Sequence, residues 1–389
     1  MTQIIVRKII LVVMIAVIYS CNLEKENKST ASKTQTLFTL LDAKETGIDF
    51  FNKVKNQKNF NIFKYRNFYN GGGVAIGDIN NDGLADIYLT GNMVANKLYL
   101  NKGNLTFEDI SISAGIEGNK PWSTGVVMVD INQDGLLDIY VSNAGNLKGN
   151  NHDNDLYINN GDLTFTEKAA EFNLAKTGFS THASFFDYDK DGDLDAYILN
   201  NSNIPVSSLG YAEQRDKRAQ DWANVPEIFR GVGDMLLRND NGKFVDVSEQ
   251  AGIYGSLIGF GLGVMVTDMN GDLYPDIYVS NDFYERDYLY INNQDGTFKE
   301  DITNWTSHLS LSAMGVDIAD INNDGNADIF ITDMLPEADQ RVKSVMEFEG
   351  YNVFKLKQSK DFSQQYIQNT LQLNNGNSTF SEVAYHSGV

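Results

Sequence analysis

A chain of 389 residues has room for one large domain or two ordinary ones, and 42% hydrophobic with 11% aromatic residues supplies a sizeable core. A formal net charge of −21 with no basic cluster excludes a nucleic-acid binder of the usual electrostatic kind, and five prolines exclude a Pro-rich stalk. The single cysteine, Cys21, excludes an intramolecular disulfide.

In chain order, residues 1–20 read as a signal peptide. Arg7 and Lys8 form a basic start, and Ile9 to Ile18 is an apolar run too short to span a membrane. Ile18-Tyr19-Ser20-Cys21 resembles a bacterial lipobox, which implies cleavage before Cys21 and lipidation of its thiol; a plain secretory signal with an incidental cysteine is the alternative. Residues 21–36, rich in Lys, Glu, Asn, Ser and Thr, read as a flexible tether. Two or three acyl chains hold a protein stably on a membrane. The expected location is therefore the cell envelope, as an outer-membrane lipoprotein, with Glu24 and Glu26 hinting at surface export.

Residues 37–389 are dominated by self-similarity. A nine-residue pattern with Asp or Asn at positions 1, 3, 5 and 9 occurs five times: Asp78 to Asp86, Asp130 to Asp138, Asp187 to Asp195, Asp268 to Asp276 and Asp320 to Asp328. An apolar run precedes each copy, most led by Gly (GVAIG from Gly73), and a second follows (DIYLT from Asp86). Two further β-type runs joined by an Asn/Gly turn come next, as in LYLNKGNLTFED from Leu98, which is a hairpin signature. Four strands in about 50 residues make one propeller blade. The expected fold is all-β: a β-propeller of four-stranded blades at about 70–115, 122–175, 180–253, 259–309 and 312–389, five visible here as part of a seven-bladed ring. The nearly continuous apolar innermost strand is expected to lie buried between neighbouring blades.

The loops carry the chemistry. Calcium takes six to eight oxygens at roughly 2.3–2.6 Å in flexible geometry, and alternating acidic side chains in a tight turn aim their oxygens inward. The expected ligands are Asp78, Asn80, Asp82 and Asp86; Asp130, Asn132, Asp134 and Asp138; Asp187, Asp189, Asp191 and Asp195; Asp268, Asn270, Asp272 and Asp276; and Asp320, Asn322, Asp324 and Asp328. Position 7 (Leu84, Leu136, Asp193, Tyr274 or Asn326) offers its backbone carbonyl, and Gly at position 6 permits a left-handed backbone. An EF-hand would instead set Glu at position 12 between helices. Four loops hold three aspartates and the third holds five, so about five structural Ca²⁺ ions would offset much of the net charge. The fourth loop has Leu273 where the others have Gly, and is expected to bind more weakly or to be reshaped.

Two inserts break the repeat. Asn201 to Gly233 contains a helix-forming stretch, Ala212 to Ala223; Asp333 to Asn369 mixes charges with Phe348, Tyr351, Phe354, Phe362 and Tyr366. The second is either a recognition loop or decoration packed on the propeller. Leu37 to Phe50 resembles the last strand and tail of a preceding blade, and the chain stops where a further blade would begin. The expectation is a fragment of a longer protein, with a closed five-bladed ring as the alternative.

Taken with YNGGGVAIGDINNDGLADIYLTGN from Tyr69, SNDFYERDYLYINN from Ser280 and DMLPEADQRVK from Asp333, these repeats resemble the FG-GAP/VCBS repeats of integrin-α-type propellers. They are similar above all to bacterial VCBS-repeat lipoproteins related to the cartilage acidic protein group. The resemblance covers roughly Leu37 to Val389 and implies blades stiffened by calcium, a propeller that binds proteins or glycans, and a C-terminal ASPIC/UnbV domain in longer members.

Four histidines, His152, His182, His308 and His386, show no metal-ligand or triad spacing, and no phosphate loop or nucleophile elbow occurs. The expected function is a calcium-stabilised cell-envelope binding or adhesion module for a glycan or protein partner, not an enzyme and with no catalytic residue. The alternative is a calcium-dependent polysaccharide lyase, for which Tyr284, Arg286 and Tyr288 are the compact candidates.

Overall fold

Short β-branched and aromatic runs between Asn/Asp/Gly turns cannot bury both faces alone, so they pair as antiparallel meanders and stack. The computed structural model describes residues 37–145, 151–202, 233–253, 256–336, 338–345 and 350–389. The signal peptide, Cys21 and the tether lie outside the described residues, as do Ala212 to Ala223 and Phe348. The chain divides into two units, Met1–Glu45 and Thr46–Val389. In the first, Leu37, Phe38 and Leu40 are exposed.

Five four-stranded antiparallel sheets, each in sequential order, make up the second unit. Blade one is β1 (Val74–Gly77), β2 (Asp86–Leu89), β3 (Lys97–Asn101) and β4 (Phe107–Asp109). Blade two is β5 (Ser123–Val129), β6 (Asp138–Asn143), β7 (Asp155–Asn159) and β8 (Phe165–Glu167). Blade three is β9 (Ser180–Phe186), β10 (Asp195–Asn200), β11 (Met235–Asn239) and β12 (Phe244–Asp246). Blade four is β13 (Gly261–Thr267), β14 (Asp276–Asn281), β15 (Tyr288–Asn292) and β16 (Phe298–Glu300). After a short β17 (Leu309–Ser310), blade five runs β18 (Gly315–Ala319), β19 (Asp328–Thr332), then across β20 (Gln365–Tyr366) to β21 (Thr370–Asn374) and β22 (Phe380–Glu382). The innermost strands pack in chain order, β1 on β5, β5 on β9, β9 on β13 and β13 on β18, which is the blade arrangement of a β-propeller.

Each blade boundary is a separate core. Tyr88, Leu98 and Leu100 of blade one meet Val126, Ile139 and Val141 of blade two; Tyr140 and Leu156 meet Ala196 and Leu237; Tyr197 and Leu236 meet Val264 and Ile277; Tyr278 and Leu289 meet Ile329 and Ile331. The strand buried on both faces is the second one, contrary to the expectation. All six residues of β6, β10 and β14 are buried, whereas β1 leaves Val74 and Ile76 exposed. The second strand has a strand on each side of it within its own sheet and a blade on each face, whereas the innermost strand has one edge unpaired; the third strand of blade two, β7, is buried throughout for the same reason. Threonine hydroxyls stitch innermost strands together: Thr124 Oγ1 donates to the Ser180 carbonyl at 2.6 Å and Thr181 Oγ1 to the Gly261 carbonyl at 2.8 Å.

The strand expected within Leu37 to Phe50 does not form; only a single helical turn, Ala43–Thr46, is regular there. Among the described residues no sheet edge pairs with this segment, and an unpaired strand leaves its backbone unsatisfied. The tail half of that expectation does appear. A Cβ on Gly47 would lie 2.5 Å from the Phe107 carbonyl oxygen, just as one on Gly252 would lie 2.8 Å from that of Phe298. The second insert folds into helices Asp339–Val345 and Tyr351–Gln358 and is tied to blade four. Its Gln365 amide donates to the carbonyls of Phe283, Glu285 and Ser310, and Phe362 is buried. Among the described residues no helix is long and apolar enough to cross a membrane.

Candidate metal centres

Each acidic loop joins the innermost strand of a blade to the second. Position 9 begins the second strand and pairs in register with the last residue of the first: Asp86 with Gly77, Asp138 with Val129, Asp195 with Phe186, Asp276 with Thr267 and Asp328 with Ala319. All five position-9 aspartates are fully buried. Their Oδ2 accepts the N–H of position 2, at 2.8–3.2 Å. Their Oδ1 accepts the N–H of an asparagine that ends the third strand, namely Asn101, Asn159, Asn239, Asn292 or Asn374, at 2.7–2.8 Å.

Position 1 shapes the turn. Its two oxygens accept the N–H groups of positions 5 and 6, as Asp78 does from Asp82 at 3.1 Å and Gly83 at 2.7 Å. The other four loops repeat both bonds. Position 5 accepts the N–H of position 7. In the four loops with Asn at position 3, its Nδ2 donates to the position-5 Oδ2 at 2.9–3.0 Å. Loop four keeps this pattern although Leu273 must adopt φ +71°, and it adds a bond from Gly271 N–H to Asp268 Oδ1 at 2.8 Å.

Loop three is the exception that tests the donor set. Asp189 stands where the others have Asn, so no amide N–H faces its neighbours. Asp187, Asp189 and Asp195 can place carboxylate oxygens within 4.8 Å of one another. That separation matches oxygens facing each other across a calcium ion at about 2.4 Å. Asp189 Oδ1 and Asp193 Oδ1 are buried without a hydrogen-bond donor. Burial foremost, then repulsion from neighbouring aspartates, raises Asp193 to about 6; burial pushes Asp195 to about 7 against two backbone N–H bonds. Burial likewise raises Asp138 and Asp276 to about 6 and shifts Asp86 upward. A divalent ion reverses this local preference for protonation. The donor set is all oxygen, hard and negatively charged, so it fits calcium.

The predicted ligand residues of each loop shape its turn through positions 1, 5 and 9, but among the described residues only loop three brings three carboxylates, those of Asp187, Asp189 and Asp195, within reach of one ion. What the sequence reading missed is the asparagine ending the third strand. Asn159 Nδ2 donates to the Leu137 carbonyl at 3.1 Å and across the blade boundary to Ile79 O at 2.8 Å, while its Oδ1 accepts from Gly161. Asn292 and Asn374 bridge to Tyr188 O and Met269 O in the same way. The signal was present as the Asn in LYLN, LYIN, LLRN, LYIN and LQLN. Neighbouring loops also touch: Asn81 Nδ2 donates to Gly135 O, Gln133 Nε2 to Gly192 O, and Lys190 Nζ lies 4.1 Å from the Tyr274 ring centre.

The residues considered for lyase chemistry are held in structural contacts. Arg286 Nη2 pairs with Glu300 Oε2 at 2.5 Å, Tyr288 donates to Glu285 at 3.1 Å, and the Tyr284 ring sits under Lys357 Nζ at 4.7 Å. A cleft of about 870 Å³ opens elsewhere, lined by Phe60, Lys64, Glu117, Asn119, Lys120 and Trp122, among others.

Comparison with known proteins shows what these repeats are similar to. The FG-GAP-like repeat model matches residues 78–141, 144–198 and 268–331, which contain all five acidic loops. Cartilage acidic protein 1 of Xenopus tropicalis is 34% identical over 137 residues, covering 34% of this chain and 20% of that protein. The Mus musculus protein of the same name is 29% identical over 216 residues, covering 54% of this chain and 29% of that protein. The chain therefore spans under a third of the length of these relatives. An Agrocybe aegerita lectin, described as recognising non-reducing terminal N-acetylglucosamine, aligns over 79% of this chain and 78% of its own at 16% identity, with a TM-score of 0.35.

Proposed function

From a chain that carries FG-GAP-like repeats and is homologous to cartilage acidic protein 1, we infer a calcium-stabilised binding module of the cell envelope that recognises a glycan or protein partner. Calcium would be held by positions 1, 3, 5 and 9 of each loop and supply a +2 charge at the centre of each carboxylate group. The chain's own residues do the rest: position 9 ties the loop to the hairpin asparagine, and in blades two, four and five that asparagine ties the blade to the one before. Calcium is thereby coupled to blade packing. The observation that carries the reading is loop three, where three aspartates, Asp187, Asp189 and Asp195, converge and two buried aspartate oxygens lack a donor.

Binding rather than catalysis is favoured by the use of Arg286 and Tyr288 in internal pairs. The large cleft beside Trp122 is the surface on which a partner would rest. The basic, apolar start and Ser20-Cys21 support an outer-membrane lipoprotein anchored through Cys21. The test is thermal melting of the mature chain with calcium and with chelator, alongside capture of surface glycans and envelope proteins in both conditions. A large fall in Tm together with lost capture supports the reading. Unchanged melting, or turnover of an acidic polysaccharide abolished by chelator, overturns it.

A further inference from the structure

The innermost strands converge on a second, smaller cavity of about 250 Å³, distinct from the acidic loops. One wall comes from residues 65–74 and the others from β5, β9, β13 and the residue before β18. Segment 54–68 is anchored there by aromatic packing: Phe60, Tyr65 and Phe68 surround Trp122 with ring centres 5.1–5.6 Å apart. Such packing seats the wall against the blades.

Polar groups in this wall are left over. Tyr65 is 4% exposed and Asn67 7% exposed, and neither the Tyr65 hydroxyl nor the Asn67 amide nitrogen has a hydrogen-bond partner among the described residues. A buried polar atom without a partner is destabilising, so two in one cavity wall call for an explanation. His182 lines the same cavity, and burial lowers its pKa, leaving a neutral imidazole with one donor and one acceptor. It packs so closely on β5 that a Cβ on Gly125 would lie 2.6 Å from its Nδ1. By contrast the hydroxyls of Thr124 and Thr181 are occupied in stitching strands together. The rest of the lining includes Val74, Val126, Leu262 and Met314, and no Asp, Glu, Lys or Arg.

We propose that this cavity, walled by Tyr65, Asn67 and His182, binds one neutral sugar ring. A pyranose offers hydroxyl oxygens to the Tyr65 O–H and Asn67 N–H groups, a donor or acceptor to His182, and a C–H face to the aliphatic side chains. A charged ligand would find no counter-charge, and burying it unpaired is strongly unfavourable. The volume holds one ring and not a chain. The inference rests on the binding-module reading and deepens it, but it is independent of the cleft beside Trp122.

The test is saturation-transfer NMR and calorimetry on the calcium-loaded full chain. The probes are glucose, galactose, mannose and N-acetylglucosamine, each free and at the non-reducing end of an oligosaccharide, with glucuronate as the charged control. Tyr65→Phe, Asn67→Ala and His182→Leu are compared with the wild type. The expected result is saturable binding of at least one neutral sugar at a few millimolar, none of glucuronate, and about tenfold or greater weakening in each variant. Tyr65→Phe should melt at or above the wild-type temperature without ligand, because it deletes only the partnerless oxygen; this separates lost binding from lost folding. Equal binding of free and terminal sugar identifies a free monosaccharide as the ligand, whereas binding only of the oligosaccharide identifies a chain end. No binding of any neutral sugar, binding unaffected by the three variants, or ordered water alone in the sugar-soaked cavity overturns the proposal. Calcium-dependent melting and partner capture that persist in that case leave the wider reading intact.

Discussion

Asp287 offers a sharp test of how the blades treat buried charge. It is fully buried at the start of β15, where Oδ1 accepts the Asn281 N–H at 2.8 Å and Oδ2 the Tyr278 hydroxyl at 2.7 Å. Burial raises its pKa from 3.8 to about 7, opposed by those two hydrogen bonds and assisted by Asp333. A carboxyl whose folded pKa is raised holds its proton in the native state while the unfolded chain releases it. Stability is therefore lost as pH climbs from about 4 to about 7, by on the order of 4 kcal/mol at ~1.4 kcal/mol per pH unit. Blade two shows the neutral solution. Asn154 sits at the equivalent place, its Oδ1 accepting the Asn143 N–H at 2.8 Å and its Nδ2 donating to the Tyr140 hydroxyl at 2.8 Å. Asp287→Asn can adopt the same pattern by reversing the Tyr278 hydrogen bond. Urea unfolding of both proteins at saturating calcium should give a difference near zero around pH 4–5 that grows to a few kcal/mol in favour of Asp287→Asn at pH 8. A difference independent of pH, or a variant less stable at pH 8, would refute the reasoning.

Three further perturbations follow from the loops. Leu273→Gly removes a non-glycine residue held at φ +71° with its side chain exposed, and should raise stability by about 0.5–1 kcal/mol in denaturant melts. Asn159→Ala deletes the side chain that joins two carbonyls across blades one and two, and should lower stability by roughly 2–4 kcal/mol. The exposed Asn160→Ala serves as a control within about 0.5 kcal/mol. Chelation should lower Tm steeply, since each site occupied at a hundred times its Kd contributes about 2.7 kcal/mol by mass action; calorimetric scans with and without EDTA read this directly.

The legible part of the molecule was the part that repeats. Asp at positions 1, 5 and 9 and an apolar run on either side recur with so little variation that strand, loop and blade follow from one copy. The hairpin asparagine recurs just as faithfully, but an Asn next to a Gly turn already has a local explanation, so its span to the preceding blade was invisible. Its partner, the carbonyl of position 2 in another loop, lies 80 residues away for Asn159. Leu37 to Phe50 failed as a strand because an apolar run identifies a strand only when an edge awaits it. Tyr65 and Asn67 carried no signal at all. They belong to a segment outside the repeat, and their meaning comes from lacking partners in a cavity closed by three distant strands, β5, β9 and β13. Residues 133 and 190, at position 4, looked like turn filler and instead reach the next loop.

Counting ions tests the central claim most directly. Equilibrium dialysis of the purified chain against radioactive calcium, with protein-bound metal measured after washing, should give about five ions per chain. Replacing Asp187 and Asp191 by Ala should remove about one. A chain that folds yet retains no calcium at millimolar free concentration would contradict the account.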